Sequence, residues 1–126
     1  MNTNPRILVV EDDEVSLIIA EHVLNKEGFE VAKADNGEDA IEMVRRERFQ
    51  LILMDIEMPI MSGLEATPQI RSLDNGRKTP IIALTAHSTP EKIEEFTAAG
   101  IDAYILKPFD PIKFSQVAAP YLQGTT

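Results

Sequence analysis

The sequence predicts an α/β fold in which five parallel strands alternate with five helices. Five short apolar segments recur along the chain, at residues 7–10, 31–34, 51–54, 81–84 and 103–106. Four of them are continuously apolar, which is typical of strands that helices cover on both faces, and the segment at 31–34 is weaker. A stretch long enough for a helix follows each segment. This alternation predicts a doubly wound parallel sheet of order 2-1-3-4-5 with right-handed connections.

Apolar residues at helical spacing support several of the helices. The second and fifth helices have the stripes Ala40, Ile41, Val44 and Phe114, Val117, Ala118, Tyr121. The first helix has more apolar residues than one narrow stripe needs, namely Val15, Leu17, Ile18, Ile19 and Val23.

Glycine, threonine and proline mark the helix ends. Gly28 and Gly100 follow the first and fourth helices, where a left-handed terminating residue is favoured. Thr89, Pro90 and Glu91 provide a cap, a first-turn proline and an acid that suits the helix dipole. We therefore expect the fourth helix to begin at this point.

The start of the third helix is open because Pro68 lies within its stretch. A proline inside a helix costs about 3 kcal/mol relative to alanine. The helix either starts near Leu64 and bends, or starts with Thr67 as its cap and Pro68 as its first residue. We expect the second arrangement.

Composition excludes several classes of function. The chain has 126 residues, which suits one domain, and no cysteine, which excludes disulfides, thiolate metal sites and cysteine nucleophiles. A formal charge of −9 disfavours direct nucleic-acid binding. No apolar run approaches the roughly 20 residues of a membrane helix, and no secretion signal is visible. We expect a cytoplasmic protein with one domain over residues 1–126, a core at 5–122 and a disordered tail at 123–126.

Polar residues follow four of the predicted strands. Because ligands bind beyond the carboxyl ends of the strands in such sheets, these residues are expected on one rim. Each residue alone has an ordinary explanation, such as a solvated turn, a helix cap or a surface lysine. The set comprises Glu11, Asp12, Asp13, Asp55, Glu57, Thr85 and Lys107.

Taken together, these residues predict phosphoryl-transfer chemistry. Converging carboxylates repel one another unless a cation lies among them, and oxygen ligands without histidine or cysteine suit Mg²⁺ or Mn²⁺. Lys107 and Thr85 would complete a clamp for a transferring phosphoryl group. Asp55 is the best nucleophile, since it follows a central strand.

Four stretches of the sequence resemble the receiver domains of response regulators, including the chemotaxis type. These stretches are ILVVEDD at 7–13, LILMDIEMPIMSGLEA at 51–66, IIALTA at 81–86 and YILKPF at 104–109. Within the second, Asp55, Met58-Pro59, Met61 and Gly63 are the most specific. The resemblance implies a flavodoxin-like (βα)5 fold and a role in two-component signalling or a phosphorelay.

The resemblance assigns roles to the acidic residues. Asp55 is similar to the phosphoacceptor, and Asp12 to the acid that binds the metal directly. Glu11 is similar to its companion, and Glu57 to the position whose backbone carbonyl is a further metal ligand. Asp13 is an extra neighbour, although Asp12 and Asp13 as the acidic pair is the alternative.

The resemblance also assigns a switch. Lys107 is similar to the lysine that pairs first with the acceptor and then with the phosphoryl group, and its bond to Pro108 to one that is commonly cis. Thr85 is similar to the switch hydroxyl and Tyr104 to the aromatic that moves inward behind it. His87 is expected in an exposed loop, and we assign it no catalysis.

The implied function is Mg²⁺-dependent transfer of a phosphoryl group from phosphohistidine to Asp55. The donor would be a histidine kinase, a histidine phosphotransfer protein or a small acyl phosphate, and water would later remove the group. The chain would not be a turnover enzyme. The excess apolar residues of the first helix, unless they are core, would contact a histidine-bearing helix bundle.

Phosphorylation would change a protein-binding face formed by the fourth helix, fifth strand and fifth helix. The expected partner there is a downstream protein, a fused effector or, after phosphorylation, a second copy of the chain. The chain would be either a stand-alone regulator or the receiver of a hybrid kinase.

Three other functions are compatible with parts of the sequence or its predicted fold. A phosphorylation-independent interaction module is the main alternative. A small phosphatase with an aspartate nucleophile would use Glu57 as its acid-base group. A flavin-binding relative is disfavoured because the chain has neither a phosphate-binding loop rich in Ser, Thr and Gly nor any tryptophan.

Overall fold

The computed structural model describes residues 6–58 and 61–122 as five strands and five helices, with one short 3-10 turn. The predicted tail at 123–126 and Pro59 of the family motif lie outside the described residues. The strands are β1 Arg6–Val10, β2 Glu30–Ala34, β3 Leu51–Asp55, β4 Ile81–Thr85 and β5 Ala103–Leu106. The helices are α1 Glu14–Lys26, α2 Gly37–Arg46, α3 Gly63–Arg71, α4 Pro90–Ala99 and α5 Pro111–Leu122.

All strand pairs are parallel, and the sheet order β2-β1-β3-β4-β5 confirms the predicted topology. β3 lies in the middle of the sheet, with β1 on one side and β4 on the other. The carboxyl ends of all five strands therefore meet at one rim, where the candidate residues were expected.

Two apolar cores lie on opposite faces of the sheet. Alternate strand residues point to opposite faces, so Leu8 and Ile52 belong to one core, whereas Ile7 and Leu51 belong to the other. The first core packs under α2, α3 and α4, and the second under α1 and α5. Because both faces are covered, β3 and β4 are buried along their whole length, which explains their uninterrupted apolar sequence.

The predicted helix ends are confirmed at Gly100, Thr89 and Pro90. Gly100 ends α4 with a φ of 106°, a left-handed conformation that glycine adopts without a Cβ clash. The Thr89 hydroxyl oxygen accepts the Lys92 N–H at the start of α4, and Pro90 is the first residue of that helix. Gly28, with a φ of 96°, lies one residue beyond Glu27, the C-cap of α1.

The expected start of α3 at Thr67 is wrong, because the helix begins at Gly63 and contains Pro68. Ser62 caps it: its hydroxyl accepts the Glu65 N–H, and the Glu65 carboxylate accepts the Ser62 N–H. This capping box stabilises the earlier start. Thr67 lies inside the helix, where its hydroxyl donates to the Gly63 carbonyl at 2.7 Å.

Arg71, at the end of α3, joins this helix to the loops around β4 and β5. Its guanidinium donates twice to the Gly100 carbonyl, at 3.1 and 2.8 Å, and once to the Asp102 carboxylate at 2.9 Å. It also donates to the carbonyls of Gly76 and Thr79, at 2.8 and 2.6 Å. A planar group with five N–H donors can satisfy these separate acceptors together, and a lysine cannot.

We expect Arg71→Lys to lower the free energy of unfolding by about 1–3 kcal/mol, because several partly buried carbonyls would lose their donor. Urea unfolding measures this difference. Arg77→Lys is the matched control, since Arg77 is exposed and its guanidinium donates to the carboxylate of nearby Asp74. Equal stability of the two variants would contradict the structural role of Arg71.

None of the helices in the described part of the chain is long and apolar enough to cross a membrane.

Candidate functional site

The rim at the carboxyl ends of the strands brings together the polar residues that the sequence singled out. Asp55 ends β3 and Thr85 ends β4, while Glu11 directly follows β1 and Lys107 directly follows β5. Asp55 and Thr85 are therefore each one residue beyond the predicted strand segment but still within the ladder. Backbone pairing fixes both of them in place.

Asp55 is a buried carboxylate that forms an ion pair with Lys107. Its side chain is 1% exposed, and its Oδ1 accepts a hydrogen bond from Lys107 Nζ at 2.9 Å. The same oxygen accepts the Glu57 N–H at 3.1 Å. A buried charge that is paired and hydrogen-bonded in this way is held in one position.

Lys107 remains protonated at this site. Partial burial lowers the pKa of its ammonium group, but the hydrogen bond to Asp55 and the charges of Asp55, Glu11 and Glu57 outweigh that effect and raise the pKa above its usual value. Its side chain is 33% exposed, so its Nζ lies between buried Asp55 and solvent. A fixed positive charge therefore stands beside the carboxylate of Asp55.

Glu11, Asp12 and Asp55 form a cluster in which one carboxylate oxygen from each residue lies within 4.8 Å of the other two. Glu11 is 3% exposed. Its burial, together with the hydrogen bond and charge of Asp55, raises its pKa to about 8. The negative charge of Asp55 thus disfavours ionisation of Glu11. Three hard oxygen donors at this spacing fit a divalent cation such as Mg²⁺.

Asp13 has a different role from its two acidic neighbours. Its carboxylate accepts the hydroxyl and the backbone N–H of Ser16, at 2.7 and 2.9 Å, and so caps α1. The hydroxyl bond and then the backbone bond lower the pKa of Asp13. The oxygen cluster is formed by Glu11 and Asp12 with Asp55, and Asp13 lies outside it.

Thr85 and Glu57 are in direct contact across the rim. Thr85 is fully buried, and its hydroxyl donates to Glu57 Oε2 at 2.7 Å. Glu57 Oε1 accepts the Ala86 N–H at 3.3 Å and lies 3.9 Å from Lys107 Nζ. Sequence reasoning missed this contact, since it considered Glu57 as a backbone ligand or an acid-base group. Nothing in the sequence indicates a side-chain distance between residues 28 positions apart.

The remaining predicted residues lie around this centre. Tyr104 is half-buried on the α4 side of the sheet, with its ring centroid 6.3 Å from that of Phe96. His87 is exposed, and its backbone N–H donates to the Thr85 hydroxyl oxygen at 3.0 Å. The Lys107-Pro108 bond is cis, as expected.

An apolar surface lies beside the rim. Val15, Ile18 and Ile19 of α1 are 64%, 58% and 48% exposed, whereas Ala20 and Leu24 of the same helix are core residues. A cavity of about 360 Å³ lies at the rim. It is lined by Ile19, Pro108 and Phe109, together with Glu11 and Lys107. The excess apolar residues of α1 are thus only partly explained by the core.

We expect Glu11→Gln to raise the free energy of unfolding of the metal-free protein. Burial makes a charged Glu11 unfavourable, and glutamine keeps an oxygen that can accept the Asp13 N–H without carrying charge. Urea unfolding at pH 8 with a chelator present measures the change. Glu14→Gln, at an exposed position nearby, is the control. Lower stability of Glu11→Gln would show that the buried carboxylate is not an electrostatic cost.

Comparison with known proteins gives a consistent picture. The sequence model of the response regulator receiver domain family matches residues 7–119. A crystallised receiver domain of a sensor histidine kinase from Pseudomonas aeruginosa, with a magnesium ion coordinated in its active-site cleft, is 34% identical. The two structures superpose with a TM-score of 0.85 over 96% of this chain and 97% of that chain.

Two curated relatives differ greatly in length. The polar-differentiation response regulator DivK of Brucella anthropi is 34% identical over 92% of this chain and 94% of DivK. Probable histidine kinase 1 of Oryza sativa is 33% identical over 93% of this chain, but the chain spans only 15% of that kinase. The family match extends from β1 into α5, over the whole rim. The chain belongs to the response regulator receiver domain family of two-component signalling.

Proposed function

We propose that this chain is a phosphoacceptor receiver whose Asp55 takes a phosphoryl group from a phosphohistidine. The observation that supports this most directly is the buried Asp55 carboxylate, 2.9 Å from the Lys107 ammonium and within 4.8 Å of the Glu11 and Asp12 oxygens. A nucleophile, a fixed cation and a cation-binding cluster at one point suit phosphoryl transfer, which depends mainly on positioning and on charge neutralisation.

In the proposed reaction, a carboxylate oxygen of Asp55 bonds to phosphorus as the bond from phosphorus to the histidine nitrogen breaks. The products are an acyl phosphate on Asp55 and a free imidazole on the donor. Lys107 offsets the negative charge that builds up on the phosphoryl oxygens. Later attack by water on phosphorus returns the carboxylate and releases phosphate, so the cycle ends without turnover of an external substrate.

The residues that would hold a divalent cation are Glu11, Asp12 and Asp55, with the backbone carbonyl of Glu57. When bound, Mg²⁺ or Mn²⁺ supplies positive charge to the phosphoryl oxygens. The donor set supports this assignment, because all its members are hard oxygens and the pKa of Glu11 is raised. The magnesium ion in the Pseudomonas relative agrees with it.

Two surfaces would connect the site to protein partners. The exposed α1 residues Val15, Ile18 and Ile19 lie beside the rim and would seat the apolar face of a histidine-bearing helix from a kinase or a phosphotransfer protein. The face formed by α4, β5 and α5 would carry the output, through Thr85 at the rim and Tyr104 on the α4 side of the sheet. A downstream protein, a fused effector or a second copy would bind there.

We expect the intact mass of the protein to increase by one phosphoryl group after incubation with acetyl phosphate and Mg²⁺. Asp55→Asn should abolish the increase, because an amide is not a nucleophile for phosphorus. Asp74→Asn, which changes an exposed aspartate in the 3-10 turn, is the matched control and should be phosphorylated like the wild type.

Two results would contradict the proposal. Absence of an adduct with acetyl phosphate and with a phosphorylated histidine phosphotransfer protein would leave a phosphorylation-independent interaction module. Repeated hydrolysis of an added phosphate ester would instead indicate a phosphatase that uses Asp55 and Glu57.

We expect Asp12→Asn to weaken Mg²⁺ binding by about tenfold or more, since the cluster loses one charged oxygen ligand. Asp13→Asn should leave the Mg²⁺ affinity close to that of the wild type, because Asp13 lies outside the cluster and asparagine can still cap α1. Isothermal titration with MgCl₂ measures the affinity of both variants. The opposite ranking would support Asp12 and Asp13 as the acidic pair.

A further inference from the structure

The carboxylate of Glu57 contacts three donor groups at the rim. Oε2 accepts the Thr85 hydroxyl at 2.7 Å, and Oε1 accepts the Ala86 N–H at 3.3 Å. Oε1 also lies 3.9 Å from the Lys107 ammonium. One anionic side chain therefore contacts a hydroxyl, a backbone amide and an ammonium group.

Lys107 also contacts the carboxylate of Asp55, and the sheet places Thr85 close to it. Lys107 Nζ is 2.9 Å from Asp55 Oδ1, and Asp55 pairs with Leu84, the residue before Thr85, in the ladder between β3 and β4. A phosphoryl group on Asp55 carries about two negative charges and three strong acceptor oxygens. It would require hydrogen-bond donors at this place, and two nearby donors, the Thr85 hydroxyl and the Ala86 N–H, already bond to Glu57.

The Thr85 hydroxyl cannot serve both anions. A hydroxyl has one proton to donate, and the 2.7 Å distance to a carboxylate marks a strong, charge-assisted bond. The backbone of His87 lies against the same oxygen, with its N–H at 3.0 Å and its carbonyl at 3.1 Å. The hydroxyl becomes available to a phosphoryl oxygen only if its bond to Glu57 breaks.

We propose that Glu57 is a positioning residue that competes with the phosphoryl group for Thr85, Ala86 and Lys107, and so weakens phosphorylation of Asp55. This inference rests on the proposed function. The side chain of Glu57 is 39% exposed, so it can turn into solvent when a second anion enters. Its departure frees the Thr85 hydroxyl and the Ala86 amide, and repulsion between the two anions drives it out.

Substitutions can separate the effect of the length of the Glu57 side chain from the effect of its charge. Glu57→Ala removes both the carboxylate and its contacts. Glu57→Asp keeps the negative charge but is one methylene shorter, so it loses the 2.7 Å contact with Thr85. Glu91→Ala removes a comparable charge from an exposed position in the first turn of α4 and serves as the matched control.

The test measures the affinity of each variant for beryllium trifluoride, an anionic phosphoryl analogue. Fluorine NMR in the presence of saturating Mg²⁺ detects the bound analogue. Glu57→Ala should bind the analogue about tenfold more tightly than the wild type does. The reason is that this variant has no charge-assisted hydrogen bond between Thr85 and Glu57 to break. Glu57→Asp should also bind tighter, and Glu91→Ala should match the wild type. In the analogue-free protein, the Ala86 amide of Glu57→Ala should exchange with solvent faster.

A double-substitution cycle tests whether Glu57 acts through Thr85. The gain from Glu57→Ala should shrink in a Thr85→Ala background, since the main contested donor is then missing. An equal gain in both backgrounds, or unchanged or weaker binding by Glu57→Ala, would overturn the inference. A wild-type protein that binds no beryllium trifluoride would overturn the proposed function itself. Thermal melts of each variant identify any that fail to fold.

Discussion

The pairing of Asp55 with Lys107 is the interaction on which the rest of the site depends. A carboxylate that is 1% exposed is unfavourable without a compensating cation, and Lys107 Nζ supplies one at 2.9 Å. The two residues are 52 positions apart in the chain. Only a fold that brings the ends of β3 and β5 to the same rim can bring them together, so the sheet order and the site chemistry constrain each other.

β4 lies between β3 and β5, so its last residue lies beside the ion pair of Asp55 and Lys107. Lys107 follows β5 and reaches past β4 to β3, so the end of β4 borders the ion pair. Thr85 occupies that end with its hydroxyl fully buried. Thr85 therefore lies close to the charge of Asp55. It also pairs with Leu106 of β5, the strand that carries Tyr104, so under the proposed function a change in its hydrogen bonding would act on that strand.

The sequence predicts what depends on local pattern and misses what depends on distance. Buried strands appear as uninterrupted apolar runs, and their order places Asp55, Thr85 and Lys107 on one rim. The predicted start of α3 is wrong because the capping box of Ser62 and Glu65 stabilises an earlier start, and the helix accommodates Pro68 in its interior. The contacts made by Arg71 and by the Glu57 carboxylate join loops distant in sequence, and no spacing encodes them.

Under the proposed function, the charge balance at the rim favours the binding of a cation before that of an anion. Four carboxylates, those of Glu11, Asp12, Asp55 and Glu57, lie at the rim with the ammonium group of Lys107, on a chain whose formal charge is already −9. Protonation of Glu11, which its raised pKa favours, relieves only part of this excess. An incoming phosphoryl group is itself anionic, so under the proposed function it approaches a negative site. Two independent changes would then favour binding of the phosphoryl group. One is added positive charge at the cluster, and the other is movement of the Glu57 carboxylate away from Lys107.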